Sequence, residues 1–183
     1  THTFPDRIAA RALAGMEKSI VDKHDWNVKI KVAGTRDALS ESTKKNGVDI
    51  SVVVPVATKP EQSASINEFA AQTNEKTKET GVFSLGAIHP DNEDYKDILD
   101  DIKKKGLKGI KVHPDYQKVE FDDPRYLRIF KYADELGLVI VTHAGEDIGL
   151  PEKIHCTPDM VLNVLNKVSP KKLVLAHMGG WNL

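Results

Sequence analysis

Short apolar, β-branched runs alternate along this chain with longer stretches whose apolar residues recur at helical spacing. The clearest run is Asp49-Ile50-Ser51-Val52-Val53-Val54-Pro55. Its near-continuous apolar character suits a parallel strand covered on both faces. Comparable runs occupy 82–89, 107–113, 138–143 and 173–177. Helices are predicted over 61–79, 92–105, 124–136 and 158–168. There, sets such as Ile98, Leu99 and Ile102, or Tyr126, Leu127, Phe130 and Ala133, fall on one face. Gly81, Gly106 and Gly137 follow three of these helices, where a left-handed cap ends a helix, and a strand follows each at once. Toward the N-terminus, Thr1 to Phe4 read as the end of a first strand and Pro5-Asp6 as the start of a helix to about Ile20. Residues 22–35 read as an irregular excursion, before a second helix from about Arg36 to Asn46.

Strand–helix–strand repetition with short joints means parallel strands joined by right-handed crossovers. An open doubly wound sheet and a closed barrel both use that plan. The expected fold class is α/β, a parallel (β/α)8 barrel of which about six strand–helix units are present, since a full barrel typically needs about 250 residues. The chain has 183 residues, 40% of them apolar, enough for one core and a single domain over 1–183.

The histidines favour the barrel and point to a site. Of seven histidines, His2, His89, His113, His143 and His177 lie where an apolar run ends, against about one expected by chance. Pro90 and Pro114 push the residues before them to extended geometry and stop the strand. In parallel α/β folds all strand C-termini open on one face, where the site is built. Imidazoles converging there suit a divalent metal ion, Zn²⁺ first and Mn, Fe or Co as alternatives. Parity places Lys111 with His113 on one face of its strand, pointing into a polar cavity, and Ile110 and Val112 on the face toward the helices. The simpler readings differ by residue. His89-Pro90-Asp91 is also plain turn chemistry, His24 reads as a surface residue, and His155 lies in a loop before the expected N-cap Thr157.

Charge narrows the partners. Lys plus Arg number 26 against 27 Asp plus Glu, a net charge of -1, which gives no footprint for nucleic acid or an anionic membrane. No apolar run approaches the roughly 20 residues of a membrane span, and the first residues do not look like a signal peptide. Cys156 is the only cysteine, so a reducing, cytoplasmic setting is expected. A small molecule is the expected partner, with a homodimer as the candidate assembly.

Several segments carry a family resemblance. Thr1-His2-Thr3-Phe4-Pro5-Asp6 resembles the end of the Asp-x-His-x-His motif on strand one of the amidohydrolase superfamily. Gly109-Ile110-Lys111-Val112-His113-Pro114, Val141-Thr142-His143-Ala144-Gly145 and Leu175-Ala176-His177-Met178-Gly179-Gly180 resemble its fourth, fifth and sixth strands. The most similar branch includes aminocarboxymuconate-semialdehyde decarboxylase, and the resemblance covers essentially the whole chain. It implies that His2 and His143 are metal ligands and that His177 is a general acid/base or a ligand beside the metal. It also implies that the first histidine of the pair would precede Thr1 and the strand-eight aspartate would follow Leu183. The sequence is therefore expected to lack the start of strand one and the last two strand–helix units.

The expected function is a metal-dependent hydrolase, metal-activated water attacking an amide, lactone or related bond. The catalytic set is His177, His113 and Lys111, with Lys111 facing a substrate carboxylate. Carbamylation of Lys111 to bridge two metals is the rarer option. A metal-dependent decarboxylase of a small carboxylic acid is the alternative on the same scaffold. Two others are a metal-free hydrolase and a non-catalytic α/β binding domain; no Gly-x-Gly-x-x-Gly or Walker-type sequence supports nucleotide binding.

Overall fold

The computed structural model describes residues 1–24 and 26–180. The order is α1 (Asp6–His24), α2 (Arg36–Lys45), β1 (Ser51–Val53), α3 (Ser63–Glu75), α4 (Thr77–Thr80), β2 (Val82–Ser84), β3 (Gly86–Ala87), α5 (Tyr95–Lys104), β4 (Gly109–Val112), α6 (Pro114–Gln117), α7 (Pro124–Glu135), β5 (Val139–Thr142), α8 (Pro158–Lys167) and β6 (Leu173–Leu175). Every strand pairing is parallel. β1 pairs with β2, and a second ladder runs β3-β4-β5-β6. Among the described residues no helix is long and apolar enough to cross a membrane.

The run at 82–89, expected as one strand, is two. Ser84 and Ala87 are held by asparagines of α3 instead of by a neighbouring strand alone. Ser84 N–H donates to Asn74 Oδ1 at 2.6 Å and Ala87 N–H to Asn67 Oδ1 at 2.8 Å. Both side-chain amides also donate back to the same residues' carbonyls. Between them Leu85 N–H still reaches Val53 O at 3.0 Å, so the chain passes from one ladder to the other without losing backbone partners.

Other boundaries moved as well. Thr1 to Phe4 form no strand, although Thr1 O accepts Val54 N–H at 2.9 Å beside β1. α1 runs on to His24, whose ring stacks on Trp26 and bonds Ile148 O. The helix expected over 61–79 starts with a 3-10 turn at Pro60–Gln62 and breaks at Lys76, where φ is -102°. β6 stops at Leu175, short of His177, which lies in a 3-10 turn with φ 40° beside Met178 at φ 56°.

The core lies between the four-stranded ladder and its helices. Ile110, Val112 and Ile140 face Leu99, Ile102, Ile129, Phe130 and Val164, all fully buried. Phe121, Tyr126 and Phe130 pack with centroids 5.0–6.2 Å apart. Each such side chain contributes about 1.5–3 kcal/mol. α7 and α8 begin at Asp123-Pro124 and Thr157-Pro158, where the Asp and Thr side chains accept Arg125 N–H at 2.8 Å and Met160 N–H at 3.4 Å. Gly109 lets β4 approach β5: a Cβ there would sit 2.3 Å from Val139 O.

Candidate metal centre

The strand tips of β4 and β5 place His113 and His143 side by side, their rings stacked at 4.1 Å. Tyr116 stacks on the other face of His113 at the same separation. His113 Nδ1 caps α6 by accepting Tyr116 N–H at 3.5 Å, which leaves Nε2 directed inward. Asp147, in the loop after β5, completes a buried group in which one ligand atom from each of His113, His143 and Asp147 lies within 4.8 Å of the others. Asp147 Oδ1 accepts Gly149 N–H at 2.8 Å, so the turn fixes the carboxylate, and Oδ2 lies 3.4 Å from His113 Nε2 and 3.9 Å from His143 Nε2.

His143 Nε2 is buried and has no hydrogen-bond partner among the described residues. Its Nδ1 is 3.1 Å from His177 Nε2. If Nδ1–H is the donor in that contact, Nε2 keeps the lone pair a metal needs. Burial, reinforced by the neighbouring His113, holds His143 well below the ordinary imidazole range. Burial also lowers His113, though Asp147 opposes the shift. Burial works against ionisation of Asp147, but the His113 imidazole against it wins and the carboxyl is lowered. The unmet His143 Nε2 and the Asp147 carboxylate fit a divalent ion, and His113 Nε2 joins them when its proton moves to Nδ1 and the 3.5 Å bond from Tyr116 N–H is given up.

Lys111 is 3% exposed on the inner face, as parity predicts, and Nζ donates to Val112 O at 2.7 Å. Burial pulls its pKa down to about 7, against the pull of Cys156, Asp115 and Asp147. His2 stands outside the donor group; although the residue keeps an exposed surface, the protein packed around its imidazole desolvates it and, with the charges of the chain terminus, Lys111 and His113, lowers its pKa to about 4. His89 is buried in a turn, its Nδ1 accepting Asp91 N–H at 3.2 Å, which is the structural role that turn chemistry suggested.

Two aspartates escaped the sequence reading. Asp147 lies four residues past His143, and Asp147-Ile148-Gly149 is a recognisable turn signal, but nothing local aims its side chain at the histidines. Asp115, at the start of α6, is 1% exposed. Its Oδ1 accepts His155 N–H and faces His155 Nδ1, both at 3.0 Å.

A profile of the amidohydrolase family matches residues 8–182. A search of the curated proteins found no match. Among solved structures, the chain is similar to the 5-carboxyvanillate decarboxylase of Sphingomonas paucimobilis, at 17% identity and TM-score 0.65 over 97% of this chain and 65% of that one. It is similar to the IDCase of Metarhizium anisopliae in apo form, at 17% identity and TM-score 0.61 over 92% and 55%. A third is the 5-carboxyvanillate decarboxylase of Novosphingobium aromaticivorans complexed with manganese and 4-hydroxy-3-methoxy-5-nitrobenzoic acid, at 14% identity and TM-score 0.56 over 95% and 54%. The chain thus spans 54–65% of the length of these relatives. At such identities the likeness shows the fold, and the six strands form part of a parallel α/β barrel.

Proposed function

Because the chain belongs to the amidohydrolase family, we propose that it serves a metal-dependent enzyme that hydrolyses an amide, lactone or related bond in a small, carboxylate-bearing molecule. The observation that carries this reading is the convergence of His113, His143 and Asp147 at the strand tips, with His143 Nε2 buried and unmet. When bound, a divalent ion supplies a polarised substrate and an acidified water. His143, Asp147 and, with its proton on Nδ1, His113 would hold it, and the family resemblance adds His2 as a further donor. Imidazole favours Zn²⁺ and carboxylate favours Mn²⁺, so zinc remains the first choice and manganese the second.

The surrounding residues bind and move protons. Lys111 bonds one backbone carbonyl and keeps donors for a substrate carboxylate on the inner face. His177 is exposed beside His143, where it takes a proton from the reacting group and returns it to the leaving group. The lone buried thiol suits a cytoplasmic setting.

Decarboxylation of a small carboxylic acid is the second reading. It is favoured by the decarboxylases among the similar folds and by a buried lysine beside the site. Both readings are tested on protein loaded with Zn²⁺ or Mn²⁺, by following CO₂ release from aromatic acids and hydrolysis of amides and lactones. His143→Ala is expected to remove most of the bound metal without unfolding the protein. Stoichiometric metal in a folded His143→Ala variant overturns the role given to His143.

A further inference from the structure

We propose that Asp115 supplies a further donor to the cation site through Oδ2, with His155 holding the carboxylate in place. This inference rests on the reading of the strand-tip cluster as a metal centre. Asp115 Oδ2 is buried and has no hydrogen-bond partner among the described residues, one of two such atoms they place at the site. The other is His143 Nε2, and the two lie 3.8 Å apart. That separation is too long for a hydrogen bond. It is the separation of two donors on one ion: bonds of about 2.0–2.2 Å opened to tetrahedral or somewhat wider angles place donor atoms roughly 3.3–3.9 Å apart. His143 Nε2 is thus almost equidistant from two carboxylate oxygens, 3.8 Å from Asp115 and 3.9 Å from Asp147.

The carboxylate is not free to turn away. Oδ1 is tied to the His155 backbone N–H and lies against its Nδ1, and these two contacts cross 40 residues of sequence. A buried carboxylate with one oxygen satisfied and the other bare is unfavourable unless a cation or a proton meets it. The ordinary role of an acidic residue in the first turn of a helix does not account for it. α6 has only four residues, and the free oxygen faces the histidines. Two carboxylates would also balance the charge of a divalent ion beside the buried Lys111. His155 then acts as a positioning residue, orienting a ligand it touches.

The test is direct metal titration of wild type, Asp115→Asn and His155→Ala with Mn²⁺ and Co²⁺, together with the Co²⁺ visible absorption spectrum. Wild type is expected to bind about one ion per chain. His155→Ala is expected to bind roughly 10–100-fold more weakly, as when the partner of a ligand is lost. Asp115→Asn should lose more than that and shift the Co²⁺ spectrum through loss of an oxygen donor. Wild-type affinity and spectrum in a folded Asp115→Asn protein overturn the inference. If that variant does not fold, unchanged affinity in His155→Ala, whose side chain is partly exposed, overturns it. A wild type that binds neither ion removes the metal-centre reading and this inference with it, whereas metal-binding wild type with indifferent variants removes this inference alone.

Discussion

Gln117 Oε1 accepts the backbone N–H of His113 at 2.9 Å, and the same side chain ties three other elements to that strand tip. Tyr126 Oη donates to Oε1 at 2.6 Å, while Nε2 donates to Ala57 O and Ile88 O, both at 2.8 Å. One buried amide thus joins the chain beyond β1, the end of the β3 segment, β4 and α7. Gln117→Leu would strand several buried polar groups, each worth about 1–3 kcal/mol. The expected loss is at least about 3 kcal/mol in chemical denaturation, with weaker metal binding as His113 loosens. A variant within about 1 kcal/mol of wild type would show that the network is not what anchors His113.

Two glycines with similar φ should respond differently. Gly106, at φ +73°, has open space where a Cβ would go, so Gly106→Ala should cost only the conformational term, about 1–2 kcal/mol. Gly145, at φ +79°, faces Gly179 O, which a Cβ would meet at 1.9 Å. Gly145→Ala must displace the turn that carries His177, and its stability loss should exceed that of Gly106→Ala. The His177 imidazole resonances should shift as well. Equal losses would mean that the two loops are not interlocked.

Lys111→Met replaces a buried ammonium by an apolar chain of similar length. Removing the cost of burying the charge should leave stability unchanged or raise it. Metal content should persist, while affinity for small carboxylates falls and KM rises. Loss of the metal instead would favour a carbamylated lysine bridging two ions.

His177→Asn should keep the ion and substrate binding and lower kcat by roughly 10²–10⁴-fold, the usual worth of a general acid/base. Metal content, melting temperature and kcat measured on one preparation decide the matter. A lower melting temperature with kcat unchanged would reduce His177 to a partner of His143 Nδ1.

Cys156 should be inert in the folded protein. Burial pushes its thiol up from 9.0 to about 12, outweighing a bond from Thr142, so almost no thiolate exists at pH 8. Thiol reagents should label it quantitatively only after unfolding. Because the folded state holds this proton more tightly, the thiol favours folding below pH 9, and that contribution declines as pH rises from 9 toward 12. Rapid labelling under native conditions would contradict the burial.

Much of this architecture is written in local pattern. Helical spacing located α5, α7 and α8 within a few residues. Gly81, Gly106 and Gly137 adopt the left-handed caps that their positions demand, at φ 68°, 73° and 72°. Strand parity separated Lys111 and His113 from Ile110 and Val112, because alternation across a strand is a property of the backbone itself. His113 and His143 were legible for the same reason: each ends an apolar run, and parallel strands share one open face. What the sequence did not determine lies where a side chain's direction depends on a partner far along the chain. Asn67 and Asn74 break the 82–89 run only because α3 packs against it. Asp115 looks like an ordinary first-turn acid until His155, 40 residues on, takes one of its oxygens. Asp147 looks like a turn residue until the turn aims its free oxygen at two histidines. Periodicity is short-ranged and readable, but convergence of loop side chains on a point is set by packing, which only the folded chain decides.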